Sequence, residues 1–336
     1  MDDRLGYSDV LPRVELGNFP TSLVRLRNLE KRLGGPEIWI KRDDQTGLAI
    51  GGNKIRKLEY VLRQAIDQGV SHVLTVGGIQ SNHVRSTMAA ARVLGLSPVA
   101  VLGGKAPEVP TGNFLLTSLL ADDVIISDSS NLMKAEQLMQ ERAEELKTEG
   151  HQPFTIPLGA STSVGAMGYV RAFEEFADQC EELRIEFSRI YHASGSGGTQ
   201  AGLTVGKNLL GLETQILGVL VSKDDYFSCP TKILDLTLEI AKLLGRTDLT
   251  IKKEDIILVS GFEGAGYAIS SPEGSQAIEL LAKTEGILLD PTYTGKAFAA
   301  LVDHIENGEI GKEERIVFWH TGGLPDLFSE GALIQS

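Results

Sequence analysis

Cysteine is scarce in this chain: Cys180 and Cys229 are the only two in 336 residues. They form no CxxC pair and no metal-ligand spacing. This excludes a disulfide framework, and a reducing cytoplasm is the expected setting. The six histidines form no HExxH pair, so neither a structural nor a catalytic metal is expected. Basic charge is also short, with 32 Lys and Arg against 45 Asp and Glu, a net charge of −13 spread along the chain. Nucleic acid and anionic membrane surfaces are therefore excluded as partners. No apolar run approaches the roughly 18 residues of a membrane span. The opening MDDRLGYSD lacks the basic and apolar regions of a signal peptide. Repeats, low-complexity tracts and Pro-rich linkers are missing too, so composition marks no domain boundary.

What is present begins with Lys54, in the run Gly51-Gly52-Asn53-Lys54-Ile55-Arg56-Lys57-Leu58. Two glycines allow a tight turn, Asn53 is a good helix cap, and Ile55, Leu58, Val61, Leu62 and Ala65 follow with helical spacing. Lys54 is thus placed at the start of a helix with a buried face. An ammonium there is disfavoured by the helix dipole and by partial desolvation, which leaves a nucleophilic amine suited to Schiff-base chemistry. Taken alone, the same run reads as a solvated basic cluster of Lys54, Arg56 and Lys57.

A second feature lies far along the chain. Arg189-Ile190-Tyr191-His192-Ala193 reads as a strand and leads into Ser194-Gly195-Ser196-Gly197-Gly198-Thr199-Gln200, followed by a helical pattern through Leu210. Small residues between strand and helix let backbone N–H groups and the Ser and Thr hydroxyls converge on an anion. No Walker pattern is present, and the dinucleotide fingerprint fails because Gln200 stands at its third glycine. A cradle for one phosphate together with a Schiff-base lysine points to pyridoxal 5′-phosphate.

Segments 38–41, 72–76, 99–102, 124–126, 154–156, 190–193, 216–221, 256–259 and 316–319 read as strands, most of them separated by amphipathic helices. Residues 135–147 are a clear helix, with Leu138, Met139, Ala143 and Leu146 on one face. This alternation predicts an α/β fold of open, twisted, mainly parallel sheets covered by helices. Between one strand and a helix over 82–94 lies Gly77-Gly78-Ile79-Gln80-Ser81-Asn82-His83. Loops at the carboxyl ends of parallel strands face the ligand, and Ser81 and Asn82 also suit helix capping.

The runs GGNKIRKLEY, GGIQSNHVRSTMAAA, PLGASTSVGAMGYVRA, ASGSGGTQAGL, GILLDPTYTGKAFAALVD and FWHTGGLPDLF together resemble the D-cysteine desulfhydrase and 1-aminocyclopropane-1-carboxylate (ACC) deaminase family. That family has the tryptophan-synthase β-like fold of pyridoxal-phosphate enzymes. The resemblance implies two sheets. A small domain over 54–165 would be inserted into a large one made of 1–53 and 166–336, and the assembly would be a homodimer. It makes Lys54 the Schiff-base lysine, Asn82 the partner of the cofactor's phenolic oxygen, and Gly195, Ser196, Gly197, Gly198 and Thr199 the phosphate loop. Asn53, Gln80, Ser81, Asn82, His83 and Thr294 are the expected substrate contacts, and Thr321 is expected beside the cofactor. ACC deaminases carry Glu and Leu where this chain has Thr294 and Thr321. A neutral hydroxyl beside the pyridine nitrogen supports proton abstraction with loss of a β-substituent better than it supports opening of a cyclopropane.

The reaction so implied is α,β-elimination from D-cysteine to pyruvate, sulfide and ammonia, with Ser81, Tyr293 and Tyr267 as candidates for handling the α-proton. L-cysteate is an alternative substrate and ACC deamination an alternative reaction. A protein that binds pyridoxal phosphate or an amino acid without turnover is the alternative of another class.

Overall fold

The computed structural model describes residues 6–224 and 229–329. Strands and helices alternate along the chain. The order opens with β1 (Leu23–Arg25), α1 (Arg27–Leu33), β2 (Glu37–Arg42), α2 (Lys54–Asp67), β3 (His72–Gly78), α3 (Asn82–Val93) and β4 (Ser97–Gly103). It continues with α4 (Gly112–Leu120), β5 (Asp123–Ser127), α5 (Leu132–Thr148), β6 (Pro153–Ile156), α6 (Ser163–Leu183), β7 (Arg189–Ser194) and α7 (Gly198–Leu210). The last elements are β8 (Gln215–Leu220), α8 (Pro230–Leu243), β9 (Ile257–Val259), α9 (Pro272–Glu285), α10 (Thr294–Glu306) and β10 (Arg315–His320). All nine segments read as strands from the sequence are strands. The one not foreseen, β1, is three residues at a sheet edge and pairs antiparallel with β2.

Two sheets result. One has the order β1-β2-β10-β7-β8-β9, parallel apart from its β1 edge; the other has the order β5-β4-β3-β6 and is parallel throughout. The second sheet is drawn from one continuous stretch of chain, whereas the first combines strands from both sides of that stretch.

Period-two alternation feeds a core on each face of a parallel strand. In β10, Ile316 and Phe318 pack with Phe298 of α10 and Leu281 of α9, while Val317 and Trp319 pack with Phe173 and Phe176 of α6. In β3, Val73 meets Leu58 and Leu62 of α2, while Leu74 and Val76 meet Met139 and Leu146 of α5. Both sheets turn the carboxyl ends of central strands toward one cleft, to which the end of β7 and the turn that follows β3 contribute directly.

Candidate active site

Lys54 is the first residue of α2. Gly51 (φ 66°) and Gly52 (φ 112°) make the turn before it in the left-handed region. A Cβ on Gly51 would stand 2.4 Å from the Asp44 carbonyl oxygen, so the turn admits only glycine. Asn53 does not cap α2 with its side chain. Instead its Nδ2 donates to Thr199 Oγ1 at 3.2 Å, and its N–H donates to the Thr321 carbonyl at 2.9 Å. The Lys54 amine lines the cleft and has no hydrogen-bond or carboxylate partner among the described residues. Burial lowers its pKa to about 8.

The start of α2 is fixed by buried charge, which corrects the solvated-cluster reading of Arg56 and Lys57. Arg56 donates to both oxygens of Asp43 and to both of Glu175. Asp43 also accepts from Thr21, Tyr169 and Trp319, and the Arg56 guanidinium, with Lys41 and Trp319, holds its carboxyl at about 2 despite burial. Lys57, one helical turn beyond Lys54, donates to the Gly159 carbonyl at 3.3 Å and to Ser161 Oγ at 3.2 Å. Burial and the nearby Lys54 push its ammonium well below the ordinary lysine range.

The glycine-rich turn follows β7. Gly197 (φ 82°) precedes Gly198, the first residue of α7, so the N-terminal amides of a 13-residue helix open toward the cleft. Gly195, Ser196, Gly197 and Thr199 line the cleft, and Ser196 Oγ shares a 2.7 Å hydrogen bond with Ser161 Oγ. A Cβ on Gly198 would lie 2.7 Å from Ser161 Oγ and 2.8 Å from Lys57 Nζ, space that a side chain would close. Lys57 and Ser161 were not singled out by the sequence reading. The available signal was the i, i+3 spacing of Lys57 from Lys54 on one helix face.

On the opposite wall, Ser81 is the N-cap of α3 and its Oγ accepts from Val84 N at 3.2 Å. Asn82 Oδ1 accepts from Asn113 Nδ2 at 3.0 Å, which turns the Asn82 amide nitrogen away from that donor. Ser81, Asn82 and His83 all line the cleft. His83 Nε2 lies 2.8 Å from Thr75 Oγ1, and burial with two nearby lysines keeps the ring neutral. Arg85 anchors the turn before Lys54 by donating to the carbonyls of Ala49 and Gly51.

Tyr267 and Tyr293 complete the cleft, with hydroxyls 2.6 Å apart and rings in an edge-on arrangement at 5.8 Å. Burial raises Tyr267 to about 12 and holds Tyr293 well above the ordinary phenol range. Thr321 also lines the cleft. Gln80 and Thr294, expected as substrate contacts, are not among the lining residues. Gln80 is held by α4, donating to the Thr111 carbonyl and accepting from Phe114 N, both at 3.2 Å. Thr294 Oγ1 donates to Asp290 Oδ1 at 2.6 Å and accepts from Asp290 N at 2.8 Å, so its hydroxyl fastens the start of α10.

The cleft therefore offers one unpartnered amine of lowered pKa, a glycine turn opening a helix N-terminus between hydroxyls, and an oriented carboxamide. This donor set fits an aldehyde that carries a phosphate and a ring hydroxyl. Residues 14–322 match the model of the family described as pyridoxal-phosphate dependent enzyme. A D-cysteine desulfhydrase of Klebsiella pneumoniae (strain 342) is 42% identical over 323 residues, which cover 95% of this chain and 96% of that protein. The crystal structure of an ACC deaminase homologue superposes with a TM-score of 0.87 at 40% identity, covering 96% of this chain and 95% of the other. The processed form of threonine deaminase isoform 2 from Solanum lycopersicum shares the fold, with a TM-score of 0.62 at 18% identity over 90% of this chain and 79% of its own. With an amine and a glycine-rich helix start in one cleft and a family match over nearly its whole length, the chain belongs to the pyridoxal-phosphate dependent enzymes.

Proposed function

We propose that the chain catalyses α,β-elimination on a small β-substituted amino acid, D-cysteine foremost, to give pyruvate, sulfide and ammonia. The observation that carries this reading is Lys54, an amine of pKa about 8 that lines the same cleft as the glycine turn. Pyridoxal 5′-phosphate, when bound, supplies the aldehyde that captures the substrate amine and the ring that accepts the α-carbon's electrons.

The protein's own groups divide the remaining work. The N-terminus of α7, with Ser196 and Thr199, would hold the phosphate, and Asn82, whose Oδ1 is taken by Asn113, would offer its amide N–H to the ring hydroxyl. Asn53 ties the nucleophile to the phosphate loop through Thr199. Ser81 spends a lone pair on Val84 N and keeps its hydroxyl proton for a substrate carboxylate. Lys54, by its lowered pKa, would suit proton transfer near neutral pH, and Ser81, Tyr293 and Tyr267, the candidates for the α-proton, line the same cleft. Tyr267 and Tyr293, both raised by burial, hold their protons and serve as donors. Thr321 at the cleft, in place of the leucine of ACC deaminases, supports elimination over ring opening.

We read residues 54–165 as a small unit inserted into a large one, the working assembly as a homodimer, and the compartment as the cytoplasm. The sheet order and the two free cysteines support the first and last of these. Among the described residues no helix is long and apolar enough to cross a membrane.

The test is to incubate purified holoenzyme with D-cysteine, L-cysteine, L-cysteate and ACC, and to measure pyruvate against 2-oxobutyrate. Pyruvate and sulfide from D-cysteine are expected. Robust 2-oxobutyrate from ACC refutes the elimination reading, and activity on L-cysteate alone changes the substrate only. Sedimentation of the same preparation reads the dimer.

A further inference from the structure

Lys296 is fully buried in the first turn of α10 and forms no salt bridge with a carboxylate among the described residues. Its three ammonium protons are matched by three backbone carbonyls: Val221 at 3.2 Å, Glu263 at 2.9 Å and Gly266 at 2.8 Å. Val221 directly follows β8, whereas Glu263 and Gly266 belong to the irregular segment that carries Tyr267. That segment turns through positive φ on either side of the tyrosine, at Gly266 (φ 149°), which glycine permits, and at the non-glycine Ala268 (φ 59°), where the backbone is strained. Such a loop keeps its shape only if something outside it imposes that shape. Tyr293, whose hydroxyl bonds that of Tyr267, lies three residues before Lys296 at the same helix start.

We propose that Lys296 is a positioning residue: by gathering three carbonyls of the β8 end and the 263–266 segment, it sets Tyr267 against Tyr293 in the cleft. Its ammonium acts through the loop and touches neither substrate nor cofactor. A buried cation that gives all its donors to backbone carbonyls locks the backbone in place, which a side chain of similar volume without donors does not do. Where turnover is the readout, the proposal rests on the elimination reading above. Where backbone exchange is the readout, it stands independently.

The experiment compares holoenzyme carrying Lys296→Met, which fills the volume without donors, with Lys296→Ala, which leaves room for an added cation. Hydrogen exchange of the Ile269 amide, which donates to the Gly266 carbonyl, is expected to quicken about tenfold or more in both variants, because the charged hydrogen bonds holding that carbonyl and its segment are lost. Methylammonium, the lysine head group, should restore protection and turnover to Lys296→Ala and not to Lys296→Met. Turnover of D-cysteine should fall to the level of Tyr267→Phe, and combining Lys296→Met with Tyr267→Phe should add no further loss. Unchanged exchange in Lys296→Met overturns the proposal, as do losses that multiply with Tyr267→Phe. Should neither variant fold, the unmodified holoenzyme decides. Slow exchange of the Ile269 amide, which donates to the Gly266 carbonyl that Lys296 also holds, supports the proposal, and exchange at the rate of an open amide overturns it. If the unmodified protein leaves D-cysteine untouched, the elimination reading fails while the exchange measurements still judge Lys296.

Discussion

Asn53 Nδ2 donates to Thr199 Oγ1 across 3.2 Å, so the residue before the nucleophile is tied directly to the first turn of α7. That bond sets the spacing between the amine and the α7 N-terminus, two groups that, in the proposed function, would engage one small molecule at once. Asn53→Ala should therefore weaken cofactor affinity by up to about tenfold, the loss of one hydrogen bond, with little change in the melting temperature of the apoprotein. Cofactor titration followed by fluorescence checks this, and unaltered affinity would show that the spacing is fixed elsewhere.

Borohydride treatment of the holoenzyme should remove its visible absorbance band and leave the cofactor's mass on the peptide that contains Lys54. Peptide mapping distinguishes this from attachment at Lys57, three residues away, which would overturn the assignment. Lys54→Ala should still bind the phosphate through the α7 N-terminus and lose turnover, since only covalent activation is removed.

Gly198→Val should lower cofactor affinity by about a hundredfold or more, because the new side chain would occupy the gap bounded by Ser161 Oγ and Lys57 Nζ. Equilibrium dialysis measures the affinity and calorimetry of the apoprotein measures the fold. A variant that retains the cofactor as tightly as the parent would place the phosphate elsewhere.

Asp43 provides the pH prediction. Its carboxyl lies at about 2 in the folded chain against an ordinary 3.8. The unfolded chain therefore binds the proton first as pH falls. The stability that Asp43 contributes is complete above pH 3.8 and is lost as pH falls toward 2. Asp43→Ala should cost about 3 kcal/mol or more at neutral pH, because Arg56, Tyr169 and Trp319 are left with unmet buried donors. Melting curves across this pH range should show a shallower acid limb in the variant, and an unchanged limb would contradict the role given to Asp43.

The features legible in the sequence were those whose chemistry is local. Gly51-Gly52 before a helical pattern located Lys54, and a strand running into Gly195-Ser196-Gly197-Gly198 located the cradle, because turns and helix starts are written in adjacent residues. Burial imposed by distant segments was not legible. Lys57, Lys296 and Arg56 look like ordinary surface cations in the chain, yet their partners at Ser161, Glu263 and Glu175 lie far along it. Thr294 is a different case, since the signal was present. Asp290 four residues upstream accepts from the N–H groups of Thr292, Tyr293 and Thr294, a capping pattern that accounts for the hydroxyl without any ligand.

The sheet order has a consequence for synthesis. Strands β3 to β6 are contiguous in the chain and can pair while later residues are still being made. By contrast, β2 lies between β1 and β10, so its parallel neighbour is made only after every other described strand. The large sheet must therefore wait until residues 315–320 have been made, with Ile38 and Ile40 lacking Ile316 and Phe318 until then. A nascent chain stopped before residue 315 would hold a finished small sheet beside an open half of the large one, and the turn that presents Lys54 would lack the Thr321 carbonyl on which it closes.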